Sequence, residues 1–340
     1  MTEDELHRLT AWLAETLPEI KGPFVAEKFA VGQSNPTYLL RAQSGLYVLR
    51  RQPSGDLLPS AHAVDREYRV QKALEGTAVP VPRMLALCED HSVLGVSFYV
   101  MDHVGGRNLV DPSLPDETPQ ARTEIIHEMA RVLAAIHSVD IGAVGLGDYG
   151  ASGNYYARQL ARWTKQYRAS ATEEQPGMDR LIGWLETHLP ADDTPQTLVH
   201  GDYRIDNMLF AENAADCVAV LDWELSTLGH PFADLAGVIM QWQLPPGAEG
   251  RGLAGVDRAA LGLPSDDDFI DAYCQARGIA RPENFGFYVA FAFFRMAAIL
   301  QGVKKRALDG NAANPEKGLK LGAYVPLFAD LGWGARDSYG

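Results

Sequence analysis

Cysteine is scarce. The 340 residues hold three, Cys88, Cys217 and Cys274, far apart in sequence. No Cys-x-x-Cys pair or zinc-type spacing exists, which excludes a disulfide framework and a zinc module and leaves buried free thiols in a reducing compartment as the expectation. Positive charge is also short. Thirty Lys and Arg face 44 Asp and Glu, for a formal net charge of −14. Such a balance argues against a broad phosphate-backbone surface, so no nucleic-acid partner is expected, although a local basic patch is compatible with it. The first residues, Met-Thr-Glu-Asp-Glu, are acidic and lack the basic start and apolar run of a secretory leader. One apolar stretch, residues 285–303, is long enough to raise the question of a membrane span. It is isolated and carries Arg295 near its middle. A buried helix is the better expectation, with no membrane partner and a cytoplasmic location. What the chain does have is 46% hydrophobic residues, ample for a large core and for more than one structural unit.

The periodicities divide the chain. Leu6, Leu9, Leu13 and Leu17 predict a helix over 6–17. Short strands are expected over 25–31, 37–42 and 46–51, separated by Gly32-Gln33-Ser34-Asn35-Pro36 and by Ser44-Gly45. A helix follows over 63–75, then strands near 83–88 and 96–101. Beyond Met101 helices dominate, over about 117–138, 154–168, 178–188, 233–242, 266–277 and 284–306, with short strands near 197–200, 208–211 and 217–222. Residues 243–264, rich in Gly and Pro, read as a loop or insertion. This is an α+β chain: an antiparallel N-terminal sheet lobe over 1–102 and a mainly helical lobe over 103–340, with a binding cleft expected between them.

Chemistry concentrates where apolar strands end. Thr197-Leu198-Val199 runs into His200-Gly201-Asp202-Tyr203-Arg204-Ile205-Asp206-Asn207, and Val218-Ala219-Val220-Leu221 runs into Asp222-Trp223-Glu224. Phosphoryl transfer needs a positioned hydroxyl, a proton acceptor and a divalent cation bridging the phosphates. Asp202 suits the proton acceptor, while Asn207 and Asp222 offer the oxygen ligands that Mg²⁺ prefers. The competing reading is a polar turn whose side chains cap the backbone. Arg204 suits either a phosphate contact or a structural ion pair, and Glu224 stands close enough in sequence to assist a metal or contact substrate.

The HxDxxxxN pattern at His200, Asp202 and Asn207, followed by Leu221-Asp222-Trp223-Glu224, resembles the aminoglycoside phosphotransferase-like family. That family shares its two-lobed fold with protein kinases. The resemblance implies Asp202 as catalytic base, Asn207 and Asp222 as Mg²⁺ ligands, and ATP as phosphate donor. It places Arg50 or Arg51 where the family usually has a phosphate-binding lysine. Alternation along a strand sends these two arginines to opposite faces, and motif register favours Arg50. Glu67 resembles the glutamate that aims this cation. Gly32 and Ser34 form a candidate phosphate-covering turn, with a plain hairpin turn as the competing reading, and Met101 borders the expected adenine pocket. Asp234 is similar to a family aspartate that braces the catalytic loop.

A longer set of matches, GQSNPTYLL, YVLRRQPSG, HAVDREYRV, VPVPRML, LDWELSTLGHPFADLA and FAFFRMAAILQGVKKR, resembles one branch in particular. These are the kinase-like domains fused to some eukaryotic acyl-CoA dehydrogenases. The segment between Asp222 and Asp234 is short and no APE motif follows, so a small-molecule hydroxyl is the expected acceptor rather than a folded protein. The branch implies a hydroxyacyl-CoA or hydroxy acid; the wider family implies an aminoglycoside. Residues 150–175, 241–262 and 287–302, with Trp242, Tyr288 and Arg295, are candidate pocket walls. A nucleotide-binding pseudoenzyme or interaction module is the alternative, because Arg replaces the usual Lys. The sequence leaves oligomeric state open.

Overall fold

Residues 98–101, Phe-Tyr-Val-Met, are apolar without alternation because the sheet they cross is covered on both faces. The computed structural model describes residues 1–29, 35–54, 63–191, 195–247, 251–312 and 314–339. It divides into two units that are not continuous in sequence. The first comprises Met1–Val110, Val139–Gly147 and Arg204–Ser226; the second comprises Asp111–Ser138, Asp148–Tyr203 and Thr227–Gly340.

In the first unit, β1 (Val25–Lys28), β2 (Thr37–Ala42), β3 (Gly45–Arg51), β4 (Met84–Cys88) and β5 (Phe98–Asp102) form an antiparallel sheet in the order β1-β2-β3-β5-β4. Helix α1 (Glu3–Thr16) opens on a capping box, in which Thr2 Oγ1 accepts from the Glu5 N–H and the Glu5 carboxylate accepts from the Thr2 N–H. Its Leu9 and Leu13 pack with Leu40, Leu49, Phe98 and Val100 on one sheet face. Helix α2 (Val64–Leu74) covers the other, where Val64 joins Val48, Met84, Tyr99 and Met101. The period of two thus sorts β3 and β5 into two cores. A second ribbon is built from β6 (Arg107–Asn108), β8 (Met208–Phe210) and β9 (Cys217–Val220).

In the second unit, β7 (Thr197–Val199) pairs with β10 (Thr227–Gly229). The helices are α4 (Pro119–His137), α5 (Tyr155–Ser170), α6 (Pro176–Thr187), α7 (Phe232–Trp242), α9 (Asp266–Arg277) and α10 (Phe285–Leu308). Helix α10 is apolar on nearly every side because α5, α6 and α7 pack around it, joined by α11 (Pro315–Gly322) and α12 (Val325–Ala335). It is the one described helix long and apolar enough to cross a membrane, and 72% of that apolar window is buried in the protein.

Several elements depart from the expectations. The Gly- and Pro-rich segment 243–264 contains a one-turn helix, α8 (Arg258–Leu261), N-capped by Asp257. A short α3 (His91–Leu94) stands between β4 and β5. Helices α11 and α12 were not anticipated. Gly322 disguises α11 in sequence, since glycine weakens a helix. Its purpose is close approach: a Cβ there would fall 2.4 Å from Lys304 Cβ on α10. All three cysteines are buried and none is in a disulfide, as expected.

Candidate active site

The alternation of β3 separates its two arginines. Arg51 shares a face with Leu49 and reaches α1, where its Nη1 lies 2.8 Å from Glu5 Oε1. Arg50 shares a face with Val48 and reaches α2. Its Nε donates to Glu67 Oε2 at 2.9 Å, and its Nη2 donates to Asp222 Oδ1 at 2.7 Å. The same Nη2 lies 3.6 Å from Glu224 Oε2. Asn35 Nδ2 approaches that Glu224 oxygen at 3.4 Å. One guanidinium therefore gathers three carboxylates from α2 and the turn after β9.

The electrostatics follow from burial. Glu67 is 1% exposed. Burial pushes its carboxyl up to about 7; the Asp222 and Glu224 charges add to this, and Arg50 opposes it. Burial also disfavours the Arg50 charge, but Glu67, Asp222 and Glu224 outweigh that and hold its pKa above the ordinary arginine value.

Asp222 owes its place to the backbone. It adopts φ 64°, ψ 58°, the left-handed region that non-glycine residues rarely enter. The next residue anchors the turn: Trp223 is fully buried, and its indole N–H donates to the Val220 carbonyl at 3.0 Å. β8 and β9 pair with Met208 opposite Val220, and the Leu221 N–H donates to the Asn207 carbonyl at 2.8 Å. Asn207 and Asp222 therefore stand at the same end of one ribbon. Their amide and carboxylate oxygens are the hard donors that Mg²⁺ takes, with phosphates and water completing its shell, so the donor set fits the ion. Arg204 forms an ion pair with Asp206 at 3.2 Å, and Asn108 Nδ2 donates to the Asp206 carbonyl at 2.8 Å.

Asp202 belongs to the second unit. Its loop leaves β7 through fully buried His200 and through Gly201 at φ 87°. Buried Asp234 on α7 holds both residues: its Oδ2 accepts the His200 N–H at 2.7 Å and its Oδ1 accepts the Gly201 N–H at 2.8 Å. His200 Nδ1 in turn accepts the Asp202 N–H at 3.3 Å. Behind Asp234 stands His137, whose Nε2 is 3.2 Å from Oδ2 and whose Nδ1 is 2.7 Å from the Tyr273 hydroxyl. Burial lowers the His137 pKa, so the ring is neutral near pH 7. Since a carboxylate only accepts, Nε2 carries the proton and Nδ1 accepts from Tyr273. For Asp234, burial raises its pKa. The His137 hydrogen bond, the nearby histidines and the Gly201 N–H more than offset this and leave it below the usual value.

Among the other predicted residues, the Met101 side chain lies in the core cluster with Val48 and Tyr99. Gly32 and Ser34 lie outside the described residues. Trp242 is buried against Phe269 and under Arg258. Tyr288 joins a buried aromatic cluster with Tyr156, His230 and Phe232. Arg295 is half-buried, with Nη2 3.4 Å from the Gly201 carbonyl. His137 and Tyr273 lie in no motif of the sequence. The available signal is a histidine closing the apolar run Val132-Leu133-Ala134-Ala135-Ile136 at the end of α4.

Comparison with known proteins gives four matches. A family model described as the phosphotransferase enzyme family matches residues 25–283. Acyl-CoA dehydrogenase family member 10 of Mus musculus is 48% identical over 313 residues, which are 92% of this chain and 29% of that protein, so this chain spans less than a third of that relative. Among solved structures, a Ralstonia eutropha protein provisionally assigned as an aminoglycoside phosphotransferase superposes with TM-score 0.89 at 47% identity, covering 97% of each chain. A thermostable mutant of aminoglycoside phosphotransferase APH(4)-Ia, in ternary complex with AMP-PNP and hygromycin B, superposes with TM-score 0.61 at 14% identity, covering 97% of this chain and 99% of that one. At that identity the likeness is one of fold.

Proposed function

This chain belongs to the phosphotransferase enzyme family, and from that premise we propose that it transfers the γ-phosphoryl group of ATP, with Mg²⁺, to a hydroxyl of a small molecule. The observation that carries the reading is the ribbon end where Asn207 and Asp222 stand together, with the Arg50 cation on Asp222. Two oxygen donors and one fixed guanidinium are what a metal-bound triphosphate requires. ATP as donor is supported by the family and by the AMP-PNP complex of the APH(4)-Ia neighbour.

In this reading Asp202 accepts a hydrogen bond from the acceptor hydroxyl and takes its proton. The acceptor oxygen forms a bond to the γ-phosphorus as the bridge to the β-phosphate breaks, releasing ADP. Asp234 fixes the backbone of the two residues before Asp202, so the carboxylate is aimed before substrate arrives. Arg50 neutralises phosphate charge and is itself aimed by Glu67. Asn207 and Asp222 would hold Mg²⁺, which when bound would supply charge neutralisation on the phosphates. The likeness to a kinase-like segment of an acyl-CoA dehydrogenase family member favours a hydroxyacyl-CoA or hydroxy acid as acceptor over an aminoglycoside.

A Mg-ATP transfer screen over aminoglycosides, sugars, choline-like amines and hydroxyacyl-CoAs tests the proposal. Transfer to one class is expected, with Asp202→Asn retaining nucleotide binding and losing at least 10²-fold in kcat, roughly the contribution of a positioned base. Equal rates in Asp202→Asn and wild type refute the base role. Nucleotide binding without transfer to any acceptor favours a binding module, the alternative that Arg50 in place of lysine raises.

A further inference from the structure

The protein is acidic as a whole, yet the second unit collects positive charge beside the loop that carries Asp202. Arg295, in the middle of α10, directs Nη2 to the Gly201 carbonyl, one residue before Asp202, at 3.4 Å. Its guanidinium carbon lies 6.0 Å from the centre of the Trp163 ring on α5. Arg162 places its own guanidinium 5.3 Å from the same ring. Trp163 is itself fixed, its indole N–H donating to Gln159 Oε1 at 3.0 Å. Burial raises the pKa of the Tyr155 hydroxyl at the start of α5; the charges of Arg295, Arg158 and Arg162 oppose this and Asp234 adds to it.

These cations differ in what already satisfies them. Arg158 is consumed by the chain, donating to the carbonyls of Ala151, Ser152 and Gly153. Elsewhere arginines answer carboxylates: Arg41 has Glu27, Arg131 has Glu128, Arg258 has Asp266 and Arg281 has Asp267. Among the described residues Arg295 and Arg162 have no such carboxylate. Arg295 is partly withdrawn from water, and it is held by an aromatic face and one long carbonyl contact. A guanidinium oriented on an aromatic ring, with its fork unspent on an anion, suits planar recognition of an oxyanion.

Resting on the phosphotransferase reading above, we propose that Arg295 and Arg162, presented on Trp163, form the acceptor-recognition wall. This wall selects a hydroxyl compound bearing a carboxylate or phosphate group over a polycation. Arg295, placed one residue from the proposed base, both receives the anion and steadies the loop. Arg162, whose guanidinium lies against the Trp163 ring, acts on the anion alone.

The test uses 3-hydroxybutyrate, 3-hydroxybutyryl-CoA, neutral methyl 3-hydroxybutyrate and kanamycin with wild type, Arg162→Glu, Arg295→Gln and Arg295→Lys. Steady-state transfer is measured beside calorimetric binding of the same four compounds. Arg162→Glu should raise the KM and Kd of the preferred anionic compound about tenfold, the factor that about 1.4 kcal/mol represents, and leave the methyl ester unchanged. Arg295→Gln should do the same and also lower kcat for every acceptor. Arg295→Lys should restore part of the binding through its charge, but less than the full fork. A carboxylate site favours 3-hydroxybutyrate and a phosphate site favours the CoA thioester; either outcome supports the proposal. Equal binding of ester and anions, tighter binding of kanamycin, or equal shifts for charged and neutral compounds in Arg162→Glu overturns it. If no compound accepts phosphate, the transferase reading fails, while the calorimetric comparison still decides the anion wall.

Discussion

Replacing Glu67 with glutamine isolates the cost of a buried charge. The Glu67 carboxyl on α2 is almost wholly buried against Arg50, and burial pushes its pKa up to about 7 from the ordinary 4.5. A carboxyl with a raised folded pKa binds its proton more tightly folded than unfolded, so stability is greatest below 4.5 and falls as pH rises through 7. At about 1.36 kcal/mol per pH unit, the loss across that window is on the order of 3 kcal/mol. Arg50 stays charged throughout. Glutamine is nearly isosteric with the protonated acid and does not titrate. The stability of wild type minus that of Glu67→Gln should therefore fall by about 3 kcal/mol between pH 4.5 and 8, since the remaining titrations largely cancel in the difference. Urea denaturation of both proteins in half-unit pH steps measures it. A difference that instead grows with pH would refute the reasoning, because it would mean that the Arg50 pair outweighs burial and holds Glu67 below its ordinary pKa.

Asp234→Asn should lower kcat at least tenfold with little change in KM and cost about 3 kcal/mol or more in stability. One of its oxygens, each of which now accepts a loop N–H, becomes an amine facing a donor. Steady-state kinetics and denaturation read the two effects, and unchanged kinetics would remove Asp234 from the positioning of the loop. Gly229→Ala should destabilise by roughly 1–3 kcal/mol, since the new Cβ would meet Tyr155 Cε2 at 2.6 Å and Val199 Cγ2 at 3.2 Å. A melting temperature equal to wild type would contradict that packing.

The parts of the fold legible in sequence are those where one physical rule acts alone. The period of two placed Arg50 and Arg51 on opposite faces, and the structure gives each its own carboxylate, Glu67 and Glu5. The strand ends that carry Asp202, Asn207 and Asp222 were visible because polar residues follow apolar runs abruptly. What stayed hidden depends on distant partners. β10 is three residues, Thr-Leu-Gly, and becomes a strand only because β7 lies beside it. His137 and Tyr273 come from different helices, 136 residues apart, and no local pattern announces their meeting. Trp242 stands beside the Gly- and Pro-rich segment 243–264, and its packing on Phe269 and Arg258 likewise depends on partners distant in sequence.

The replacement of the family's usual lysine by Arg50 is explained by the same geometry. A lysine presents one nitrogen, whose three N–H donors all radiate from a single point and fix no separation between two carboxylates. Arg50 spans both, with Nε on Glu67 and Nη2 on Asp222, and its planar fork fixes the separation between those carboxylates. Asp222, held in a left-handed conformation, depends on such a partner, because its carboxylate stands near those of Glu67 and Glu224 and would otherwise repel them. Two of the three guanidinium nitrogens are thus committed to carboxylates, and the proposed phosphate contact would fall to Nη1. Arg50 thus braces two carboxylates through separate nitrogens, where a lysine would reach both from a single ammonium.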